Sequence, residues 1–517
     1  MKKLLFALLV ATMCLGLCSC GKEHDREMDL LELVENHQFD EAHELLNEMA
    51  GEEAPKWVPE DYVSDNMVDD SWVYDDTFKD YGVSGDIGEG SDFRNSDDDE
   101  TQPSSSQPEE PKEILVEGIN LSNTELHLEF GEIATLSVSV YPENTTEYVS
   151  NIIFESSDSS IVYVNPWDGT VETKGVGTAT ITASWDDHTT SCVVNVSNPQ
   201  IETAEELWAI QNFRSGVTYE IVADIDMHGY TFPGYYPEIY GIIEGNGHTI
   251  YNVEYKSFLG SVYNGGVIRN LTVECNVFEE SDKEYDAIRG GMIVHENNGL
   301  IERCVIRGTA ELNYDSVEAG GIAYSSRGTI YRCVSEINFV VGGVILNPMG
   351  NYRPAYNVRL GGLAYEGNVS ECYTLATASF KNDVKGALGG IAYQPYTVED
   401  CYNLIANDSA YGGGICSSNF GEIKNCVNYG EVNAGIVHHH NGYVIDCYYM
   451  ISKSPARAID NGAGNADKED ENDGRTRVYG LTDSAVGKQE SYPTLDFENV
   501  WTMGPDGYPI LKWQTEQ

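Results

Sequence analysis

The chain is poor in positive charge. Its 517 residues hold 30 lysines and arginines against 84 aspartates and glutamates, a formal net charge of −54. Repulsion between like charges excludes nucleic acid and anionic membrane surfaces as direct partners. The same imbalance suits divalent cations or basic partners. Long apolar runs are also missing. After the first twenty residues nothing approaches the ~20 apolar residues a spanning helix needs. Ten-residue helical stripes are absent from the glycine-rich C-terminal half. No nucleophile elbow, phosphate loop or dinucleotide fingerprint is present, and Gly245-Asn-Gly reads as a turn. What remains is a binding protein, a structural rod, or an enzyme without a local signature.

What is there is a repeat. Gly-Gly-Ile-Ala-Tyr begins at Gly320, Gly-Gly-Leu-Ala-Tyr at Gly361, Gly-Gly-Ile-Ala-Tyr at Gly389, Gly-Gly-Ile-Cys at Gly413 and Ala-Gly-Ile-Val at Ala434. Each is followed by an apolar residue, two variable residues and a cysteine: Cys333, Cys372, Cys401, Cys426, Cys447. An earlier copy runs from Gly291 to Cys304, and a degenerate one ends at Leu271. From the second residue of each glycine pair to the cysteine the six copies span 13, 12, 10, 11, 12 and 12 residues. Cysteine to cysteine varies more: 29, 39, 29, 25 and 21. One part of the unit is fixed and another accepts insertions, as in a solenoid whose rungs rest on one another. A unit of 21 residues is too short for a βαβ crossover. The pattern predicts a parallel β-helix of short strands.

The cysteines are then expected to be an inward ladder. Small apolar side chains at one register stack about 4.8 Å apart. The residues before them are Arg303, Arg332, Glu371, Asp400, Asn425 and Asp446, with Asn270 before Leu271. Asn and Asp tolerate left-handed backbone, so this column marks a bend. The paired glycines mark another bend or a close approach between rungs. Adjacent rungs lie within the Cα distance a disulfide allows. Leucine in the cysteine's place at Leu271 favours packing, and free thiols are expected.

In chain order, residues 1–20 are a targeting segment: Lys2 and Lys3, then an apolar stretch from Leu4 to Leu17. Leu17-Cys18-Ser19-Cys20 resembles the bacterial lipobox, which implies lipidation of Cys20 and a membrane anchor on an exported chain. Residues 21–50 read as a short helical segment, with Leu30, Leu31, Leu33, Val34, Ala42, Leu45, Leu46 and Met49 at helical spacing. Residues 51–112 read as an acidic disordered linker ending in Pro and Ser.

Residues 113–198 read as a β-sandwich. Short alternating strands are punctuated by Pro142, Asp158, Gly169 and Gly175-Val-Gly177. The segment resembles the bacterial immunoglobulin-like (Ig-like) domain of group 2. Ile119-Asn-Leu-Ser, Val140-Tyr-Pro, Phe154-Glu-Ser-Ser-Asp, Asp168-Gly-Thr-Val and Gly175-Val-Gly-Thr-Ala-Thr-Ile carry that resemblance. It implies a surface spacer or adhesion module. Phe154 stands where the family usually has tryptophan, and Cys192 has no partner within the domain. Thr203-Ala-Glu-Glu206 is a capping box that opens a helix through about Phe213, suited to plug the open end of the coil.

Residues 199–474 are assigned to the β-helix and 475–517 to a C-terminal cap, with a polar loop from about Ala456 to Arg477. Ile243-Glu-Gly-Asn-Gly-His-Thr-Ile-Tyr-Asn-Val253 and the tail around Trp501 resemble surface proteins with the GLUG motif, and some pectate-lyase-like β-helix proteins begin similarly. GLUG-type repeats also occur in IgA-specific metallopeptidases. Their His-Glu-x-x-His helix has no counterpart here, since Asn297, Asn298 and Gly299 follow His295-Glu296. The fold expected is therefore all-β: an Ig-like β-sandwich followed by a right-handed parallel β-helix, after a short helical segment and an acidic linker.

The chemical candidates are few. Glu371 and Asp400 share a register on successive rungs, where they could couple as a catalytic pair or share a calcium ion, the one cofactor in view. Alternatively they are bend residues, with Arg332 and Glu371 as a cross-rung ion pair. His438-His439-His440 point to alternate faces of a strand, so at most two converge. Tyr324, Tyr365 and Tyr393 form a ladder that either stacks on sugar rings or packs on itself. The leading expectation is a monomeric lipoprotein on the outer face of a bacterial cell membrane, its β-helix binding a host or cell-wall glycan or a protein. A polysaccharide lyase or hydrolase and a non-catalytic rod are the alternatives.

Overall fold

The computed structural model describes residues 112–230, 236–283, 285–345, 352–353, 355–404, 406, 411–454, 458–459 and 475–516. Cys20, the 21–50 segment and the linker through residue 111 lie outside them.

Strand-forming residues alternate in the first domain, and one alternate set is buried. Two sheets face each other: Glu125–Glu129, His188–Ser197, Gly177–Trp185 and Ile153–Ser156 in one, Ile133–Thr135, Thr170–Thr173 and Val162–Val164 in the other. Phe154, Val162, Val171, Ile181, Cys192 and Val194 fill the space between. Ile133–Thr135 and Val138–Tyr141 are separate strands, divided where Leu136 turns into the core. Phe130 packs against both this core and that of the next domain.

The rest is a single coil of parallel strands. Each strand pairs with one a full turn later, so one column holds Ile243, Ile268, Ile301, Ile330, Val369, Val398, Ile423 and Val444 in register. All are buried. Fully burying a side chain of this size stabilises by about 1.5–3 kcal/mol, and each rung presents several. Thr203 and Glu206 close the capping box. The helix is only Ala204–Ala209 and buries Ala204 and Leu207 against the first rungs. Phe213, predicted helical, instead begins the strand ladder, because its side chain fills the core beside Tyr219.

The paired glycines mark both a bend and a close approach: the chain bends at Gly321, Gly362, Gly390, Gly414 and Gly435. A Cβ on Gly320 would lie 2.0 Å from the Ala323 carbonyl oxygen, and one on Gly362 1.8 Å from that of Gly390. A second bend is the other column. Asn270, Arg303, Arg332, Glu371, Asp400, Asn425 and Asp446 all adopt left-handed backbone, with φ between 49° and 56°. The residue after each points inward.

The six ladder cysteines are buried and unpaired by disulfides. They do more than fill space. The Cys372 thiol donates to the Ser370 carbonyl at 3.1 Å and accepts the Cys333 N–H at 3.2 Å. Cys333 and Cys401 likewise accept N–H groups from the preceding rung. Burial is the largest influence on all six thiols and pushes those of Cys304, Cys333, Cys401 and Cys447 well above the usual range. Neighbouring thiols donate against that effect at Cys372 and Cys426. Burial prevails for the column, which stays protonated.

The segment assigned to a C-terminal cap does not close the end of the coil. Thr476–Leu481 pairs with the last rung strand. Residues 482–516 then run back along the flank as a strap, because the flank carries an apolar stripe. Val305, Val334, Tyr373, Tyr402, Val427 and Tyr448 occupy one outward column. Trp501, Leu511, Trp513, Tyr492 and Leu495 of the strap form a second core with it.

Cys372→Ala should lower the unfolding free energy by about 2–3 kcal/mol, since the Cys333 N–H loses its acceptor as well as its packing partner. Cys372→Ser, which keeps an acceptor, should cost less. Guanidinium unfolding of the two variants checks the order; equal costs would reduce the thiol to filler.

Candidate functional site

The two carboxylates singled out from sequence are each engaged elsewhere. Glu371 accepts from Arg332 Nε at 2.9 Å and from the Tyr331 hydroxyl at 3.0 Å. Asp400 accepts from Trp501 Nε1 at 3.0 Å. Burial pushes the Asp400 carboxyl up to about 6, against the pull of that hydrogen bond. Among the described residues no group of three or more His, Cys, Asp or Glu side chains is placed to hold a metal ion. A calcium ion shared by Glu371 and Asp400 therefore lacks further ligands there. What the structure brings to these residues is the strap, with its two indoles.

The strap is anchored rung by rung. The Tyr448 hydroxyl meets Thr494 Oγ1 at 2.6 Å, and that of Tyr429 donates to the Pro509 carbonyl at 3.0 Å. The Tyr402 hydroxyl donates to Gln514 Oε1 at 2.8 Å. Trp513 Nε1 donates to the Glu371 carbonyl at 2.9 Å. Past Trp513 the same stripe continues to Val334, which is buried, and Val305, which is partly exposed.

There a cleft of about 210 Å³ opens. Val305 and Val334 lie on its apolar side, and Tyr373 and Trp513 bring rings 6.0 Å apart at 35°. Arg303, Arg332, Glu336 and Gln514 complete the lining. Arg332 is committed to Glu371 and lies over the Tyr331 ring. Arg303 is half exposed, and its nearest carboxylate, Glu302, is 3.9 Å away, beyond hydrogen-bonding distance. The cleft is smaller than sites for drug-sized ligands; it has room for about one sugar-sized ring. None of Arg303, Trp513 or Gln514 was singled out from the sequence as a site residue.

The tyrosine ladder packs on itself. Tyr324 and Tyr365 stack at 4.9 Å, Tyr365 and Tyr393 at 5.3 Å, and His295 stacks on Tyr324 at 5.2 Å. Their faces are occupied by one another, so a sugar cannot stack between them. Glu318 accepts from Tyr324 at 3.3 Å, Arg289 at 2.8 Å and Arg359 at 3.1 Å. Burial works to raise its pKa, yet the two guanidiniums hold it below the usual range. Arg289, Glu318 and Arg359 share one register, two residues before the repeat glycine. His438 is buried with its ring against Tyr411 and His439, whereas His440 lies near Asn419 and Thr476. The triplet is divided between environments.

Asp400 gives a pH signature. Its folded-state pKa lies above the ordinary value of 3.8, so between about pH 4 and 6 the folded chain binds more protons than the unfolded one. Stability from this group is therefore present at low pH and lost as pH rises through 6. Asp400→Asn keeps an acceptor for Trp501 and suits left-handed backbone. It should raise stability by roughly 2 kcal/mol at pH 7.5, with the gain vanishing near pH 4. Thermal unfolding across that range checks it.

Residues 115–194 match the family of bacterial Ig-like domains (group 2). A solved structure described as IgA1 Protease is similar at 13% identity with a TM-score of 0.35. The match covers 62% of this chain and 27% of that one, so this chain spans about a quarter of that protein's length. No curated protein matches the chain. The molecule thus carries a bacterial Ig-like domain, of a kind suited to a surface or adhesion-type protein, followed by a long parallel sheet wound as a β-helix.

Proposed function

We propose that the chain is a lipid-anchored bacterial surface protein whose β-helix binds a carbohydrate ligand in the cleft beside Trp513. The observation that carries this reading is the composition of the bend column. Asn270, Asp400, Asn425 and Asp446 are residue types that accept left-handed backbone. Arg303, Arg332 and Glu371 accept it at a cost of roughly 1–2 kcal/mol each. Those three are the ones at the cleft: two line it, and the third holds Arg332 in place. Within the bend column the strain gathers at the cleft, where asparagine would remove it, and that points to use.

The chemistry of the lining supports a sugar. Hydroxyl groups need both donors and acceptors, and Arg303, Glu336 and Gln514 supply them. Tyr373 and Val305, both partly exposed on the cleft, offer an apolar edge to the C–H face of a sugar ring. The Ig-like domain then serves as a spacer, and the lipid on Cys20 as the membrane anchor.

The full chain should retain oligosaccharides from a glycan panel without releasing products. Tyr373→Ala should weaken retention at least about tenfold, equal to roughly 1.4 kcal/mol. Cys20→Ala should abolish incorporation of labelled fatty acid. A panel with no binder would remove the carbohydrate reading, and product release would replace binding by catalysis.

A further inference from the structure

We infer that the ligand carries a carboxylate and that Arg303 is the residue that selects it. This rests on the cleft being the binding site. Arg332 and Arg303 both line the cleft, but they are not equivalent. Arg332 spends its charge on Glu371 at 2.9 Å. Arg303 faces Glu302 at 3.9 Å and keeps its guanidinium half exposed. Its charge is the less neutralised of the two, and a guanidinium fork matches a carboxylate with two parallel hydrogen bonds.

The bend itself has no need of arginine at this position. Asn270 on the preceding rung and Asn425 four rungs later make the same turn, at φ of 53° in each case, against 51° for Arg303. The positive charge also stands out against a chain of net −54, whose long-range field repels acidic ligands. Retention of an acidic sugar here needs a specific cation, and Arg303 supplies it at short range. Glu336 is an exposed acid on the same cleft. It fixes orientation: the carboxylate turns toward Arg303 and the hydroxyls toward Glu336. Arg303 and Arg332 are one rung apart, and Tyr373 lies a further rung on. The ligand therefore lies along the coil axis, its ring at Tyr373 and its acid two rungs, about 10 Å, away.

The test uses the full chain and calorimetric titration with a uronic-acid oligosaccharide and its neutral counterpart. Arg303→Asn is the variant of choice, since asparagine makes this same bend on neighbouring rungs. The acidic sugar should bind at least about tenfold tighter than the neutral one, with the difference shrinking in high salt. Arg303→Asn should erase the difference, bringing the acidic sugar's affinity down to that of the neutral one in the same variant. A preference that survives Arg303→Asn would overturn the assignment of Arg303. Equal binding of both sugars would overturn the carboxylate and leave the cleft standing. Binding of neither would overturn the cleft as well.

Discussion

A single left-handed residue followed by a buried thiol governs this molecule. The bend reverses the backbone, and the next side chain enters the core. There the sulfur accepts an N–H that the turn would otherwise leave stranded and donates to a carbonyl of its own bend. Cysteine suits this position because it is small, soft and weakly polar. Repetition of that device from Cys304 to Cys447 keeps successive rungs in register, so that the aliphatic column through Ile301 and Val444 stays buried.

The same device dictates what happens outside. If the cysteine points in, the following residue points out. Valine or tyrosine follows every ladder cysteine, which leaves an apolar stripe on the flank. Water would make that stripe a liability. The strap resolves it by laying Trp501, Leu511 and Trp513 along the stripe. The cleft lies where Trp513 and Gln514 of the strap meet Val334 and Val305 of the stripe. Its charges come from the bend column and its aromatic wall from the strap, so distant parts of the chain must be in place before the site exists.

This explains what the sequence disclosed and what it withheld. The β-helix, its cysteine ladder and the Ig-like sandwich were legible because each leaves a local, periodic trace. The capping box at Thr203 was legible for the same reason, although Phe213 went to the strand ladder once the core claimed its ring. The strap was misplaced as an end cap. Its partners lie some 40 to 140 residues away in sequence, and the clue, an apolar residue after each cysteine, becomes meaningful only once the cysteines are known to face inward. Glu371 and Asp400 were correctly placed in one register, but register does not reveal that Arg332 and Trp501 engage them separately. Arg289, Glu318 and Arg359 could have been found by aligning the repeats on the glycine, which puts them in one column.

The most direct measurement is a thiol titration without reductant, before and after unfolding, of the chain with Cys14, Cys18 and Cys20 changed to Ser so that only the other nine of its twelve cysteines count. The nine cysteines of the described residues are all buried and free. The account predicts that they are silent toward an aqueous thiol reagent in the native state and that all nine react once the chain is unfolded. Rapid reaction in the native state, or thiols still missing after unfolding, would contradict it.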